Sequence, residues 1–232
     1  MPKLTAMMIV RNEADRYLRR CLESLHTFVD DIVILDDASD DDTPEICLSY
    51  PCVKLYRQPH SMFLTDEAEM RRKLWHYTME NKAEWILAID ADEFLEESFL
   101  KEVPYLLNQN KFRAIGFRLF DCWGDEDHYR IDGLWNPWLR GFSIYLIKCQ
   151  PQLASDWPAL KFHCGRLPLA YRRLVHYESA IRIKHLGWAN PLDIKAKYER
   201  AVRQDPDNNY MKREHYESIL WSPEKIITEK WL

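Results

Sequence analysis

The sequence predicts an α/β fold with a mostly parallel central sheet flanked by helices. Three observations carry that prediction. Short continuous apolar runs alternate with apolar stripes at helical spacing through the first half of the chain. The apolar runs are of the kind found in strands covered on both faces. Three of these runs close in polar clusters that carry carboxylates, and in open α/β sheets ligands bind at the carboxyl ends of strands.

Leu4 to Val10 reads as a first buried strand, with Arg11-Asn12-Glu13 making the turn. A helix follows through Leu18, Cys21, Leu22 and Leu25. Ile32 to Leu35 is a second buried strand closed by Asp36-Asp37. Thr43-Pro44 is the start of a helix, with Thr43 as cap and proline at the first helical position. Val53 to Tyr56 is a short strand, and Thr65-Asp66-Glu67 opens a helix carrying Met70, Leu74 and Tyr77 on one side. Trp85 to Ile89 is the next buried strand, and Ser98 caps a helix through Phe99, Val103, Leu106 and Leu107. After Ala114 the character changes. Ala114 to Phe120 and Phe142 to Ile147 read as strands joined by aromatic-rich connections, and Asp193 to Arg203 returns to charged helical sequence.

The chain has 232 residues, 47% of them hydrophobic, enough for one sizeable core. Its net charge of -5 gives no basic excess, so nucleic acid is not an expected partner. The six cysteines show neither zinc-ligand spacing nor a disulfide framework, and Cys21 and Cys47 read as small core residues. No apolar stretch is long enough to span a bilayer, and the chain opens into a strand rather than a signal segment. A cytoplasmic protein, at most peripheral to a membrane, is expected. Several of the nine tryptophans fall late (Trp123, Trp135, Trp138, Trp157, Trp188), where packing or stacking on a sugar ring are the alternatives.

The densest signal is Trp85-Ile86-Leu87-Ala88-Ile89-Asp90-Ala91-Asp92-Glu93. Packing does not ask for three carboxylates at the end of a buried strand, where they repel one another. A divalent cation relieves that conflict, because carboxylate oxygens are the ligands hard cations prefer. The three polar clusters Arg11-Asn12-Glu13, Asp36-Asp37 and Asp90-Ala91-Asp92 are expected at one edge of one sheet. With only six glycines there is neither G-x-G-x-x-G nor G-K-[ST], which disfavours a dinucleotide fold and a P-loop. A metal at Asp90/Asp92 would supply the positive partner that a phosphorylated substrate needs.

The segments Met7-Met8-Ile9-Val10-Arg11-Asn12-Glu13, Ile32 to Thr43 and Ile86 to Asp92 together resemble the opening blocks of family 2 glycosyltransferases. That resemblance covers roughly residues 4 to 107. It implies a GT-A (Rossmann-like) fold and an inverting enzyme that uses a nucleotide-diphospho sugar. The whole chain is then expected to be a single GT-A domain: a donor half over about 1–113, an acceptor half over about 114–190 and a helical segment over about 191–232. Carried over residue by residue, the resemblance implies that Val10, Asn12 and Glu13 border the nucleoside pocket. Asp37 accepts a hydrogen bond from a pyrimidine ring, pointing to a UDP- or dTDP-sugar, and Arg71 faces the diphosphate with its planar fork of donors. Asp90 contacts the ribose or a water beside it, Asp92 binds Mn²⁺ or Mg²⁺, and His185 completes the metal shell.

His163 and Trp188 are the expected sugar or acceptor contacts, with His163 also a competitor for the metal. Many relatives carry a Glu-Asp pair in the acceptor half, and none is found here. Asp156 and Glu178 are the base candidates, with Asp132 next. The acceptor is a saccharide, a lipid-linked sugar or a protein. Three other readings compete: a sugar nucleotidyltransferase, whose basic glycine-rich loop is missing at Val10 to Glu13; a phosphoacceptor signalling domain, which also gathers aspartates at strand ends but leaves the aromatic second half unexplained; and a nucleotide-sugar-binding protein without turnover.

Overall fold

A computed structural model of the chain describes residues 1–63, 65–158, 160 and 164–232. In chain order they form β1 (Leu4–Val10), α1 (Leu18–Leu25), β2 (Asp31–Asp36), α2 (Thr43–Leu48), β3 (Val53–Arg57), α3 (Glu67–Glu80), β4 (Trp85–Ala88), β5 (Glu93–Leu95), α4 (Phe99–Asn108), β6 (Ala114–Trp123), β7 (His128–Arg130), α5 (Pro137–Arg140), β8 (Ser143–Lys148), α6 (Leu169–Arg172), β9 (Tyr177–Trp188), α7 (Pro191–Gln204), α8 (Arg213–Ser218) and β10 (Thr228–Lys230). The chain divides into two compact units, Met1–Phe117 with Ser143–Ile181, and Arg118–Phe142 with Arg182–Leu232.

In the first unit β1, β2, β3 and β4 are parallel, in the spatial order β4-β1-β2-β3. β8 joins β4 antiparallel, and the start of β6 joins β8 antiparallel with a register shift between Ile115 and Gly116. This is the mostly parallel sheet flanked by helices that the alternation predicts. β1, β2 and β4 are buried almost throughout, which is why their sequences show no polar face. On one side Met7, Val33, Leu35, Ile86 and Ala88 pack with Met70, Leu74 and Trp75 of α3, and with Trp157, Cys164, Leu167 and Tyr171. A fully buried leucine such as Leu74 (1% exposed) contributes about 2–3 kcal/mol. α1 buries the predicted stripe Leu18, Cys21, Leu22 and Leu25, and α4 buries Phe99, Val103, Leu106 and Leu107.

Helix starts depart from the sequence reading in two places. α2 already includes Thr43, with Asp42 at the cap position; the Thr43 hydroxyl instead accepts the Glu13 N–H at 2.8 Å. Ser98 does occupy the cap position of α4, but its side chain makes no capping bond. α3 is capped by Asp66, which accepts the Glu69 N–H at 2.9 Å.

The second unit contains the end of β6, with β7 antiparallel to it and β10 antiparallel to β7. Its core is Trp123, Trp135, Tyr216 and Ile219, with Trp188, Ile194, Tyr198, Ala201 and Ile226 packed against it. The late tryptophans at 123 and 135 are therefore packing residues, as is Trp157 in the first unit. Trp138 is exposed. Arg130 is fully buried: Asp132 binds its guanidinium through both oxygens at 2.9 and 2.8 Å, the Ser218 carbonyl takes a third N–H at 2.8 Å, and Trp123 lies 4.3 Å beneath it. β9 is a twelve-residue strand to which the sequence reading assigned no element; the alternation of buried Ser179, Ile181 and Ile183 with more exposed neighbours is its signal. Among the described residues no helix is long and apolar enough to cross a membrane.

Candidate active site

Register places the predicted clusters together. Val10 lies beside Asp36 and Met7 beside Ala88, all in parallel pairs. The chain therefore leaves β1 at Arg11-Asn12, β2 at Asp37 and β4 at Asp90–Asp92 along one edge of one sheet, the carboxyl edge where α/β folds bind ligands. α3 begins at Glu67, after the connection from the same edge of β3, so Arg71 sits a little over one turn along it.

The loops after β1 and β2 are stapled to each other. Asn12 donates to the Asp40 carboxylate at 2.7 Å and accepts the Asp40 N–H at 3.1 Å, while its own N–H reaches Ser39 Oγ at 2.9 Å. Asp41 takes the N–H groups of Ala14 and Thr43. Asn12 (φ 52°) and Ala38 (φ 60°) adopt the left-handed region, which is unfavourable for side chains with a Cβ. Such residues gather where the surrounding structure holds them for a purpose. Val10 is buried, and its carbonyl accepts the Asp37 N–H at 2.9 Å. Glu13 pairs with Arg16 at 3.1 Å.

Asp36 and Asp37 are both fully buried and both answered by their own chain. Asp36 accepts from Arg57 Nε at 2.8 Å and from the Ser39 hydroxyl at 2.5 Å. Asp37 accepts from Gln58 Nε2 (3.0 Å), Ser61 Oγ (2.6 Å), Met62 N (2.7 Å) and Phe63 N (3.2 Å). Its first task is thus to hold the β3–α3 connection at the sheet edge. Arg71 is half-buried, and its Nε and Nη2 both donate to Glu67 Oε1 at 3.2 Å within α3.

The conflict among Asp90, Asp92 and Glu93 has a resolution the sequence reading missed. Arg166, some seventy residues away, donates to Glu93 at 2.5 and 2.9 Å and pairs with Asp90 at 3.3 Å. Burial works against its charge, but Asp90 and Glu93 more than compensate and hold the guanidinium pKa well above its usual value. Glu93 is buried and also accepts the Tyr145 hydroxyl at 3.2 Å, so it is a structural carboxylate. Asp92, partly exposed, is the third member of the group. Beneath the turn, burial and then the charges of Asp92, Glu93 and Asp90 push the Cys21 thiol up, which keeps it protonated. Among the described residues no group of three or more His, Cys, Asp or Glu side chains forms a metal cluster. A divalent cation still fits the donor set: Mg²⁺-like ions are commonly held by one or two carboxylates together with substrate phosphate oxygens, and Asp92 at the sheet edge is such a carboxylate.

His185 belongs to the second unit, in β9. Its Nδ1 lies 2.5 Å from buried Asp121, which Arg140 pairs at 2.7 Å. Burial would raise the Asp121 pKa, yet Arg140 and His185 hold it below the usual carboxylate range. The imidazole therefore donates from Nδ1, the arrangement usual for ligating histidines. Trp188 is stacked on Trp123 at 5.4 Å and edge-on to Trp135. Asp156 and Glu178 are both exposed. His163 lies outside the described residues.

Comparison with known proteins agrees with this architecture. A sequence model described as Glycosyl transferase family 2 matches residues 5–161. Glycosyltransferase SunS of Bacillus subtilis, derived from the SPbeta prophage, is 26% identical over 222 residues, covering 89% of this chain and 47% of that protein. An uncharacterised protein of Mycobacterium tuberculosis is 25% identical over 223 residues, 90% of this chain and 52% of that one. The chain thus spans about half the length of the curated relatives it matches. The crystal structure of S. aureus TarS shares the fold at a TM-score of 0.57 and 17% identity, covering 94% of this chain and 42% of that one. TarS 1-349 in complex with UDP-GlcNAc matches at 0.54 and 18% identity, covering 94% and 70%.

Proposed function

The chain belongs to glycosyl transferase family 2, and on that premise we propose that it moves a sugar from a UDP- or dTDP-sugar to an acceptor hydroxyl, with inversion at the anomeric carbon. The observation that carries the reading is the shared carboxyl edge of β1, β2 and β4, where Asn12, Asp37 and Asp90–Asp92 emerge side by side. A structural relative that binds UDP-GlcNAc supports a uridine donor.

In this reading Val10, Asn12 and Glu13 border the base and ribose, and Asp37 accepts a hydrogen bond from the pyrimidine ring. Asp90 serves the ribose side, and Arg71 turns its guanidinium to the diphosphate. Mn²⁺ or Mg²⁺ at Asp92, when bound, neutralises charge on the departing diphosphate. Arg71 adds fixed positive charge where negative charge grows. His185 is the proposed histidine ligand, its tautomer set by Asp121. Asp156 and Glu178 are the proposed bases, and their exposure suits a group that must meet a hydroxyl arriving from outside. His163 and Trp188 are assigned to the sugar and acceptor. The acceptor is a saccharide, a lipid-linked sugar or a protein, reached by a cytoplasmic enzyme.

The test is a calorimetric screen of UDP-, dTDP- and GDP-sugars with and without Mn²⁺, followed by detection of released nucleoside diphosphate. Pyrimidine donors should bind, and bind more tightly with the metal. Equal affinity for all three, unaffected by Mn²⁺, would refute the donor assignment.

A further inference from the structure

We propose that Glu93 and Arg166 are positioning residues of the donor site: their ion pair locks the turn that presents Asp92, so that the turn keeps its shape before any cation arrives. The proposal rests on the donor-site reading above and assigns work to two residues that reading leaves unused.

The lock is closed on every side. Glu93 Oε2 accepts the Asp90 N–H at 2.9 Å, and the Glu93 N–H returns to the Asp90 carbonyl at 3.1 Å, so the turn over Asp90–Glu93 is tied at both ends. The same Oε2 takes Arg166 Nη1 at 2.5 Å, while Oε1 takes Arg166 Nη2 at 2.9 Å and the Tyr145 hydroxyl at 3.2 Å. Both oxygens are saturated, at a residue only 2% exposed. Arg166 also reaches Asp90 Oδ2 at 3.3 Å and the Ala88 carbonyl at 3.4 Å, and its guanidinium lies 4.3 Å over the Tyr145 ring. One planar cation thus joins the end of β4, the first aspartate of the turn and the buried glutamate. Lysine offers no such fork.

Arg166 is itself held from behind. Trp157 Nε1 binds the Gly165 carbonyl at 2.9 Å, Arg172 Nη1 binds the Cys164 carbonyl at 2.9 Å, and Cys164 and Leu167 are buried in the core. Gly165 has φ +81°, a backbone conformation that strains any residue with a Cβ, so the approach to Arg166 favours glycine. A segment anchored so thoroughly presents its side chain without further ordering.

The electrostatic consequence follows. Asp90, Asp92 and Glu93 are three like charges within four residues. Arg166 answers Asp90 and Glu93, so the guanidinium offsets two of these three charges before a cation arrives. Without the guanidinium, a cation would be drawn toward the Asp90–Glu93 side as well, and the turn would rearrange to follow it.

The experiment measures the UDP dissociation constant with and without Mn²⁺ by calorimetry, and hydrogen exchange of the Asp90 and Glu93 amides in ligand-free protein. Wild type is compared with Glu93→Gln, Arg166→Met and Arg166→Lys. The gain from the metal, the ratio of the metal-free constant to the constant with Mn²⁺, should fall at least tenfold in Glu93→Gln and Arg166→Met, beyond any loss of metal-free UDP affinity that follows from loosening Asp90. The two amides should exchange at least tenfold faster while β1 stays protected. Arg166→Lys, which keeps charge and stem, should fall between, and it carries the test where Arg166→Met does not fold. Variants that fold and keep both the wild-type ratio and the wild-type exchange rates overturn the lock alone. A wild-type protein whose UDP affinity ignores Mn²⁺ overturns the donor-site reading and the lock with it.

Discussion

Replacing Asp37 with asparagine separates two roles of one carboxylate. Asp37 is fully buried and accepts four hydrogen bonds. Asparagine keeps one oxygen and puts an NH₂ in place of the other. That NH₂ sits best toward Oδ2, where the Ser61 hydroxyl can rotate to accept from it, leaving the Phe63 N–H, already the longest contact at 3.2 Å, without its acceptor. One bond is lost, and the bonds that remain lose their charge assistance. With hydrogen bonds to charged groups worth about 1.5–3 kcal/mol and neutral ones about 1, the variant should lose at least about 3 kcal/mol of stability. For a chain of this size that lowers the melting midpoint by roughly 6–12 °C or more. If the same carboxylate also accepts from a pyrimidine ring N–H, UDP should weaken by about ten- to a hundredfold while ADP moves little. Denaturant unfolding reads the first effect and calorimetry with UDP and ADP the second. A stability loss below about 0.5 kcal/mol would contradict the four-bond description. Equal weakening of UDP and ADP would remove the base-reading role and leave Asp37 as the anchor of the β3–α3 connection.

Arg71→Lys keeps the charge but removes the fork, so UDP affinity should fall about tenfold while uridine, which lacks the diphosphate, binds as before; matching losses for both ligands would count against a diphosphate contact. Asp205 has a clear acid signature. Burial would raise its pKa, but the Met211, Tyr210 and Asn209 amides and the Tyr216 hydroxyl bind the ionised form and hold it below the usual value. A depressed folded pKa means stability that is present above the ordinary carboxylate value and is lost as pH falls through the folded one. Melting curves from pH 5 down to 2 should therefore fall more steeply for wild type than for Asp205→Asn, and parallel curves would argue against the assignment. Ala38→Gly relieves a φ of 60° and should stabilise by about 1 kcal/mol, whereas Ala38→Val should destabilise; chemical denaturation giving the reverse order would show that the backbone there is not strained.

Much of the first unit is legible from residue order because its signals are local. A strand covered on both faces must be apolar throughout, and a helix lying on a sheet must repeat its apolar residues at helical spacing. That is why β1, α1 and the four buried positions of α4 were readable in advance. The strand-end carboxylates were readable for a related reason: acidic residues beside a buried run are conspicuous whatever they do. Their partners were not. Arg57 at the end of the neighbouring strand and Gln58 just after it meet Asp36 and Asp37 across 21 positions, and Arg166 meets Glu93 across 73, so local periodicity reports neither contact.

From order alone came the α/β alternation, the family resemblance and the placing of Asp37 and Asp90–Asp92 at strand ends. Tertiary structure alone decided which of those carboxylates are already neutralised. Periodicity is a property of neighbours along the chain, whereas the charge state and orientation of a buried group depend on whatever the fold brings within about 4 Å of it, and here that was an arginine from a distant loop.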